Sequence, residues 1–440
     1  MTRMLALVFA ALIAAHVPYC PCEAQVVRST SPLADGSPAD AAWQHYQDQV
    51  TENRARMLAN PLASDPQIRE QALYYVQSQE AVAFNLYLAP RQQYPALYTQ
   101  SFFLPLELSW GMPNPDFFNR NGFLDGAHTY RIFGRMHGIR WATLQVSEGF
   151  WGDEKQATVA NVDFDELQKG QDGQFEIFLG PTPPADARNR KWVKLDPQNH
   201  NMFLALREVW YDWTKEGPME LRIEALDRDP AAPIYFSEEE LARRTDKAAK
   251  YLTTNVAFAL AGLKVYEVPG RRSGRDGFEF NTFHASTAGR QSGGNPLGTW
   301  VSMIYDLKPD EALVIDMPVV EARYWGIQLG TVWGQTTDYV YHQSSINMAQ
   351  AHIDHDGRLR AVISLKDPGV PNWLDPAGIG TGMAVLRFYK APSYVVPTVS
   401  KVKLAMLRSV LPADTPTVTP QQRQSTISAR TQAAQRRFGP

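Results

Sequence analysis

The chain repeats itself, and that repeat limits its fold more than any other feature. Arg140-Trp141-x-x-Leu144-Gln145-Val146 followed by Trp151-Gly152 is answered by Arg323-Tyr324-x-x-Ile327-Gln328-Leu329 followed by Trp333-Gly334. The correspondence continues in the same order. Asp172-Gly173 with the alternating Phe175, Ile177 and Leu179 matches Asp356-Gly357 with Leu359, Ala361 and Ile363. Trp192 and Asp196-Pro197 match Trp373 and Asp375-Pro376, and the run Met202 to Arg207 matches Met383 to Arg387. A pattern kept in order over about 100 residues indicates a duplicated domain, because a solenoid repeats with a shorter period and in more copies. The apolar positions alternate with period two, as in strands buried on one face. The expected architecture is therefore mainly β, in two related units.

At 440 residues, 44% hydrophobic and 11% aromatic, the chain can bury several cores. The formal net charge of −3, from 43 basic and 46 acidic residues, gives no electrostatic basis for binding nucleic acid or an acidic membrane. The N-terminus has the form of an export signal: Arg3, then an apolar run from Leu5 to Ala15, then Cys22-Glu23-Ala24 as a small-x-small cleavage site. Cleavage near Gln25 would remove both cysteines, Cys20 and Cys22. The mature protein would then have neither disulfides nor thiol chemistry. No later stretch has about 18 apolar residues in a row, so no membrane span is expected and the location implied is periplasmic or secreted.

Composition divides the chain into a signal peptide at 1–24, a linker at 25–39, a helical subdomain at 40–100, a first β unit at 101–232, a connecting helix and Gly/Arg-rich loop at 233–292, a second β unit at 293–410, and a disordered tail at 411–440. The helical subdomain breaks at Asn60-Pro61. Ser237 with Glu240 has the form of a capping box, and Leu241, Thr245, Ala248, Leu252 and Val256 recur at helical spacing up to Gly262. This predicts one long connector helix packed across a β unit.

The second unit resembles the bacterial family known as domain of unknown function 1214. The resemblance rests on Ala322-Arg323-Tyr324-Trp325-Gly326-Ile327-Gln328-Leu329-Gly330, Asp338-Tyr339, Ser345-x-Asn347, Asp356-Gly357 and the run Asp367-Pro368-Gly369-Val370-Pro371-Asn372-Trp373-Leu374-Asp375. The first unit resembles the upstream part of such proteins through Asn114-Pro115-Asp116, Asn119-Arg120, Asp125-Gly126 and Tyr130-Arg131-Ile132-x-Gly134-Arg135, so the resemblance covers Gly111 to Pro392. It implies jelly-roll-like β-sandwiches with helical additions, here two sandwich units related by internal duplication. It implies no activity.

The densest polar and aromatic cluster supplies the candidate ligand-binding residues Arg323, Trp325, Gln328, Trp333, Asp338, Tyr339, His342 and Asn347. Aromatic faces stack on sugar rings, while amide, carboxylate and guanidinium groups orient hydroxyls. On a strand Trp325, Ile327 and Leu329 share one face and Tyr324 and Gln328 the other. Residues present in only one copy (Asp338, His342 and Asn347 in the second, His137, Glu148 and Asp153 in the first) are better functional candidates than those common to both. Asp367 and Asp375 are the candidates for an acid and base pair flanking a glycosidic bond at about 5 to 9 Å, although Asp-Pro is also ordinary turn chemistry. His352-x-x-His355 puts its two imidazoles on opposite faces of a strand, so no metal site is expected. With no phosphate-cradling loop, nucleophile elbow or dinucleotide fingerprint, no cofactor is expected either.

The resulting expectation is an exported protein that recognises, and in one version processes, a carbohydrate or similar small polar molecule at the second unit. The alternative is a non-catalytic envelope protein that contacts partners. A homo-oligomer is compatible with both, and whether the protein is an enzyme stays open.

Overall fold

The computed structural model describes residues 36–99, 108, 110–185, 190–261, 263, 267, 268, 271, 272, 279–286 and 294–438. The expected leader, most of the linker and most of the Gly/Arg-rich loop lie outside these residues. From Pro38 to Pro440 the chain forms one compact unit.

Helix α1 (Pro38–Leu58) starts inside the segment expected to be linker. The break after it has a local cause. Asn60 accepts from the Leu62 N–H, and Asp65 caps α2 (Pro66–Ala83) by accepting from Gln67 and Ile68, with proline at the first position of each following turn. A π-helical turn, Phe84–Leu88, ends this segment.

Strands β1 (Phe117–Leu124), β2 (Tyr130–Arg135), β3 (Trp141–Glu148), β4 (Ala157–Asp163), β5 (Gln174–Gly180), β6 (Lys191–Lys194), β7 (Met202–Val209) and β8 (Glu220–Ala225) make two sheets, ordered β1-β7-β3-β4 and β6-β5-β2-β8. One apolar cluster takes Leu144, Val146, Leu204 and Leu206 from the first sheet and Ile132, Ile177 and Leu179 from the second.

Helix α3 (Glu238–Leu260) follows, with Ser237 accepting from Glu240 N–H as its cap. It lies against α1 and α2, forming a helical layer with them rather than crossing a β unit alone. A two-residue pair, β9 (Glu267–Val268) and β10 (Arg271–Arg272), precedes the second set of strands: β11 (His284–Ser286), β12 (Gly298–Asp306), β13 (Glu311–Pro318), β14 (Tyr324–Gly330), β15 (Ser345–Asn347), β16 (Arg358–Ser364), β17 (Trp373–Leu374), β18 (Thr381–Tyr389) and β19 (Thr398–Lys403). Their sheets are ordered β11-β12-β18-β14-β15 and β17-β16-β13-β19 and enclose a second core containing Met303, Trp325, Ile327, Leu386, Ile315 and Ile363. The fold is mainly β, with several sheets and an N-terminal helical region.

The tail is not disordered. Helix α4 (Pro420–Phe438) packs with Arg423, Arg430 and Arg437 buried. Their spacing of seven is two helical turns, which sets all three on one side. Arg423 reaches Asp367, Gln343 and the Val370 carbonyl. Arg430 donates to the Tyr339 carbonyl and Ser345 and lies over Trp213, 4.3 Å from its ring centre. Arg437 reaches the Pro115 carbonyl and lies over Trp210 and Trp213. Low hydrophobicity misleads here because guanidinium groups are buried against carbonyls and indole faces.

Candidate functional site

Strand β7 sends Met202, Leu204 and Leu206 into the first core, so period two turns Phe203, Ala205, Arg207 and Val209 outward. Strand β18 does the same in the second set: Ala384, Leu386 and Phe388 face the core, and Met383, Val385, Arg387 and Tyr389 face away. Both strands are interior to their sheets, where Arg207 lies opposite Asn119 and Thr143, and Arg387 opposite Trp300 and Gly326. These outward faces meet each other. Phe117, Trp141, Val209 and Tyr211 from one side pack against Tyr324 and Tyr389 from the other.

Between the faces lies a cavity of about 140 Å³, lined by Arg207, Arg387, Asn119, Asn121 and Asn295, and by the rings of Phe117, Trp300 and Tyr389, with Phe258 of α3 and Trp151 on the helical side. Arg207 makes one long hydrogen bond, 3.4 Å, to the Ala205 carbonyl. Arg387 is 5% exposed and is held by Gln328 Oε1 and the Met112 carbonyl. Neither guanidinium has an ion-pair partner among the described residues, and Asp116 acts on Arg387 only at a distance. Burial lowers the pKa of both, and the intervening Tyr389 opposes that shift in each. The Asn121 side chain is buried and makes no hydrogen bond among the described residues. Cationic and amide donors thus converge on a small space rimmed by aromatic rings.

The expected ligand-binding cluster does not form such a space. Trp325 is in the second core. Gln328 is buried, donates to the Pro113 carbonyl and Thr336, and holds Arg387, so it supports the cavity from behind. Trp333 is 1% exposed, and its Nε1 donates to the Ile68 carbonyl at 3.0 Å, fastening the second set of strands to α2. Asp338 accepts from Val340 and Tyr341 N–H as a turn cap, and Tyr339 is buried edge-on against Trp213. Arg323 pairs with Asp165 at 3.0 Å and donates to the Arg140 carbonyl, so the first residues of the two repeated motifs touch. Asn347 donates to Asp116 at 2.9 Å and to the Tyr211 carbonyl at 3.0 Å. Asp116 also accepts from Tyr324 OH at 2.6 Å and Trp213 Nε1 at 2.7 Å. These polar groups join the two sets of strands. They are buried because each has a partner across the junction.

His342 and Asp375 do meet, at 2.8 Å between Nδ1 and Oδ2. Asp375 also caps its own turn through Ala377 N–H. Asp367 caps a different turn through Gly369 N–H and pairs with Arg423, so each carboxylate is engaged in its own turn. His137 pairs with Glu220 at 2.8 Å, Glu148 with Lys155, and Asp153 with Lys247 while accepting from Phe150 N–H. His352 lies 3.6 Å from Asp354, and His355 is exposed beside Asp414. A wider groove of about 930 Å³ crosses the outer face of β6-β5-β2-β8, but its central Arg131 is already paired with Glu176 and Glu224.

In the sequence Arg207 and Arg387 are simply the last residues of a repeated, mostly apolar run. The available signal was a cation placed one step out of phase with the core-facing residues in both copies.

Comparison with known proteins agrees with this architecture. The family model described as "Protein of unknown function (DUF1214)" matches residues 119–210. The matched segment is similar to that family. It spans β1 to β7, the first set of strands, whereas the resemblance read from sequence was most specific in the second. The crystal structure of an uncharacterised protein from Burkholderia cenocepacia is similar, with 26% identity and a TM-score of 0.72, covering 83% of this chain and 97% of that one. The VPA0106 protein from Vibrio parahaemolyticus is similar at 13% identity and a TM-score of 0.43, over 83% of this chain and 100% of that one. No match was found among the curated proteins.

Proposed function

We propose that this DUF1214 protein is an exported receptor for a small polar solute, held between two β-sandwiches that arose by duplication. The duplication is supported by strand order. Counting within each set, β1-β7-β3-β4 corresponds to β12-β18-β14-β15 and β6-β5-β2-β8 to β17-β16-β13-β19, and the sixth strand is parallel to the fifth in both, as β5·β6 and β16·β17. The sandwich reading is supported by the single core shared by each pair of sheets. Export to the periplasm or medium rests on the leader-like N-terminus.

The observation that carries the binding reading is the cavity itself, where the half-buried Arg207 keeps only one long hydrogen bond and the Asn121 side chain none among the described residues. Polar groups withdrawn from bulk water ordinarily have partners, and one that faces a cavity without a partner is open to water or a ligand. On this reading the ligand sits at the junction of the two sets of strands rather than at the Arg323 to Asn347 cluster. The alternative, a structural envelope protein, accounts for the sealed Trp333 but leaves the cavity unexplained.

A thermal-shift screen of the full chain against small neutral and charged solutes tests this reading. A solute at about 100 times its Kd adds roughly 2.7 kcal/mol. The shift should vanish in Ala205→Leu, which fills the cavity from the β7 wall. A shift that survives in that variant places binding elsewhere, and a screen with no shift removes the receptor reading.

A further inference from the structure

Resting on that reading, we infer that the ligand is a compact organic carboxylate whose charge is held by Arg207 and Arg387 and whose carbon body lies against Phe117, Trp300 and Tyr389.

The size is set by the cavity. At about 140 Å³ it is close to the 150 Å³ apolar cavity known to hold benzene, which limits the occupant to on the order of six non-hydrogen atoms. The charge follows from the two guanidinium groups. Cations are rarely buried without an anionic partner, because the loss of hydration is otherwise uncompensated. Here two arginines, Arg387 buried and Arg207 half-buried, come to one cavity from two separate sheets, and no carboxylate among the described residues is paired with either. An anion between them would supply the missing countercharge to both.

The choice of carboxylate over an inorganic oxyanion rests on the rest of the lining. A guanidinium fork matches a planar carboxylate with two parallel hydrogen bonds. The remaining walls are aromatic and amide, and a phosphate would leave the rings without an apolar partner. The Asn121 amide is placed to read a hydroxyl or carbonyl on the carbon body, beside Asn119 and Asn295, which donate to the Phe117 carbonyl and to Thr143. This composition suits a short hydroxy or keto acid.

The two arginines are not equivalent in the unliganded protein. Arg387 is also a structural group, since it ties Gln328 to the Met112 carbonyl. Arg207 contributes little besides its charge. Replacing Arg207 should therefore remove binding and, by removing a charge without a countercharge, stabilise the empty protein. A residue kept only for packing would behave in the opposite way.

The test uses the full chain and isothermal titration calorimetry with lactate, its neutral isostere lactamide, and inorganic phosphate. Losing a charge-assisted contact in a largely dry site corresponds to about tenfold or more in Kd. Lactate should bind, lactamide at least about tenfold more weakly, and phosphate more weakly than lactate. Arg207→Gln should lose about tenfold or more for lactate and unfold at a higher temperature than wild type without ligand; Arg207→Lys, which keeps the charge without the fork, should fall between them. Equal binding of lactate and lactamide overturns the anion assignment while leaving a polar-solute receptor in place. Binding of phosphate without lactate overturns the carboxylate in favour of an inorganic anion. An Arg207→Gln protein less stable than wild type makes Arg207 a structural residue and overturns the assignment. If none of the three binds, this inference fails, while the receptor reading stands or falls with the wider thermal-shift screen.

Discussion

Replacing Trp333 with alanine separates a sealed structural position from an open ligand platform. Trp333 is 1% exposed and packs in a cluster with Met57, Ile68, Ala72 and Val76 from the helical layer and Met383 and Val385 from β18. Truncating a buried tryptophan costs about 3 to 5 kcal/mol, because the neighbours only partly fill the space. The lost bond from Nε1 to the Ile68 carbonyl adds about 1 kcal/mol. Against a typical total stability of about 5 to 15 kcal/mol, this is a large share. With a urea slope of about 3 kcal/mol per molar, a loss of 4 kcal/mol lowers the midpoint by roughly 1.3 M. Trp333→Phe keeps most of the apolar volume and should cost only about 1 to 2 kcal/mol. The assay is urea unfolding of both variants followed by far-ultraviolet circular dichroism and fluorescence. A Trp333→Ala unfolding free energy within about 0.5 kcal/mol of wild type, as for a surface substitution, would refute the packing argument and return Trp333 to the ligand site.

Ending the chain after Thr419 removes α4 and the anchors of Arg423, Arg430 and Arg437. The expected loss is of order 5 kcal/mol, read as a lower urea midpoint, and an unchanged midpoint would make the helix dispensable. Burial pushes the Asp116 carboxyl above the usual range, despite hydrogen bonds from Tyr324, Asn347 and Trp213 and the charge of Arg430. A carboxyl whose folded pKa is raised holds its proton more tightly when folded, so stability falls as pH rises from the ordinary carboxylate range through the raised value. Wild-type stability relative to Asp116→Asn should therefore increase on acidification toward about pH 4, and a decrease would contradict the shift. His342→Ala breaks the pair with Asp375 at a partly exposed site and should cost less than about 1 kcal/mol in thermal unfolding; a larger loss would make the pair a structural anchor.

Local chemistry was legible wherever the cause lies within a few residues. The stop at Asn60-Pro61, the restart at Asp65, the Ser237 cap and the period-two strands all follow from short-range rules. The alternation in β14 was also readable, with Trp325, Ile327 and Leu329 facing the core and Tyr324 and Gln328 turned the other way. What lies against that second face was not. A strand pattern says which residues leave its own core, but not which other surface will cover them. Gln328 and Asn347 looked like ligand contacts because they are polar and clustered in sequence, yet the first set of strands supplies their partners. Arg207 and Arg387 looked like strand ends because the cavity between them exists only once two outward faces are stacked. Helix α4 escaped notice because its buried contacts are made by arginines, which composition counts as solvated.

The most direct test of the account is a crystal structure of the full chain grown with lactate. The account predicts a planar carboxylate between Arg207 and Arg387 with its carbon atoms against Trp300 and Tyr389. A cavity holding only water, or lactate bound at the Arg323 to Asn347 surface instead, would contradict it.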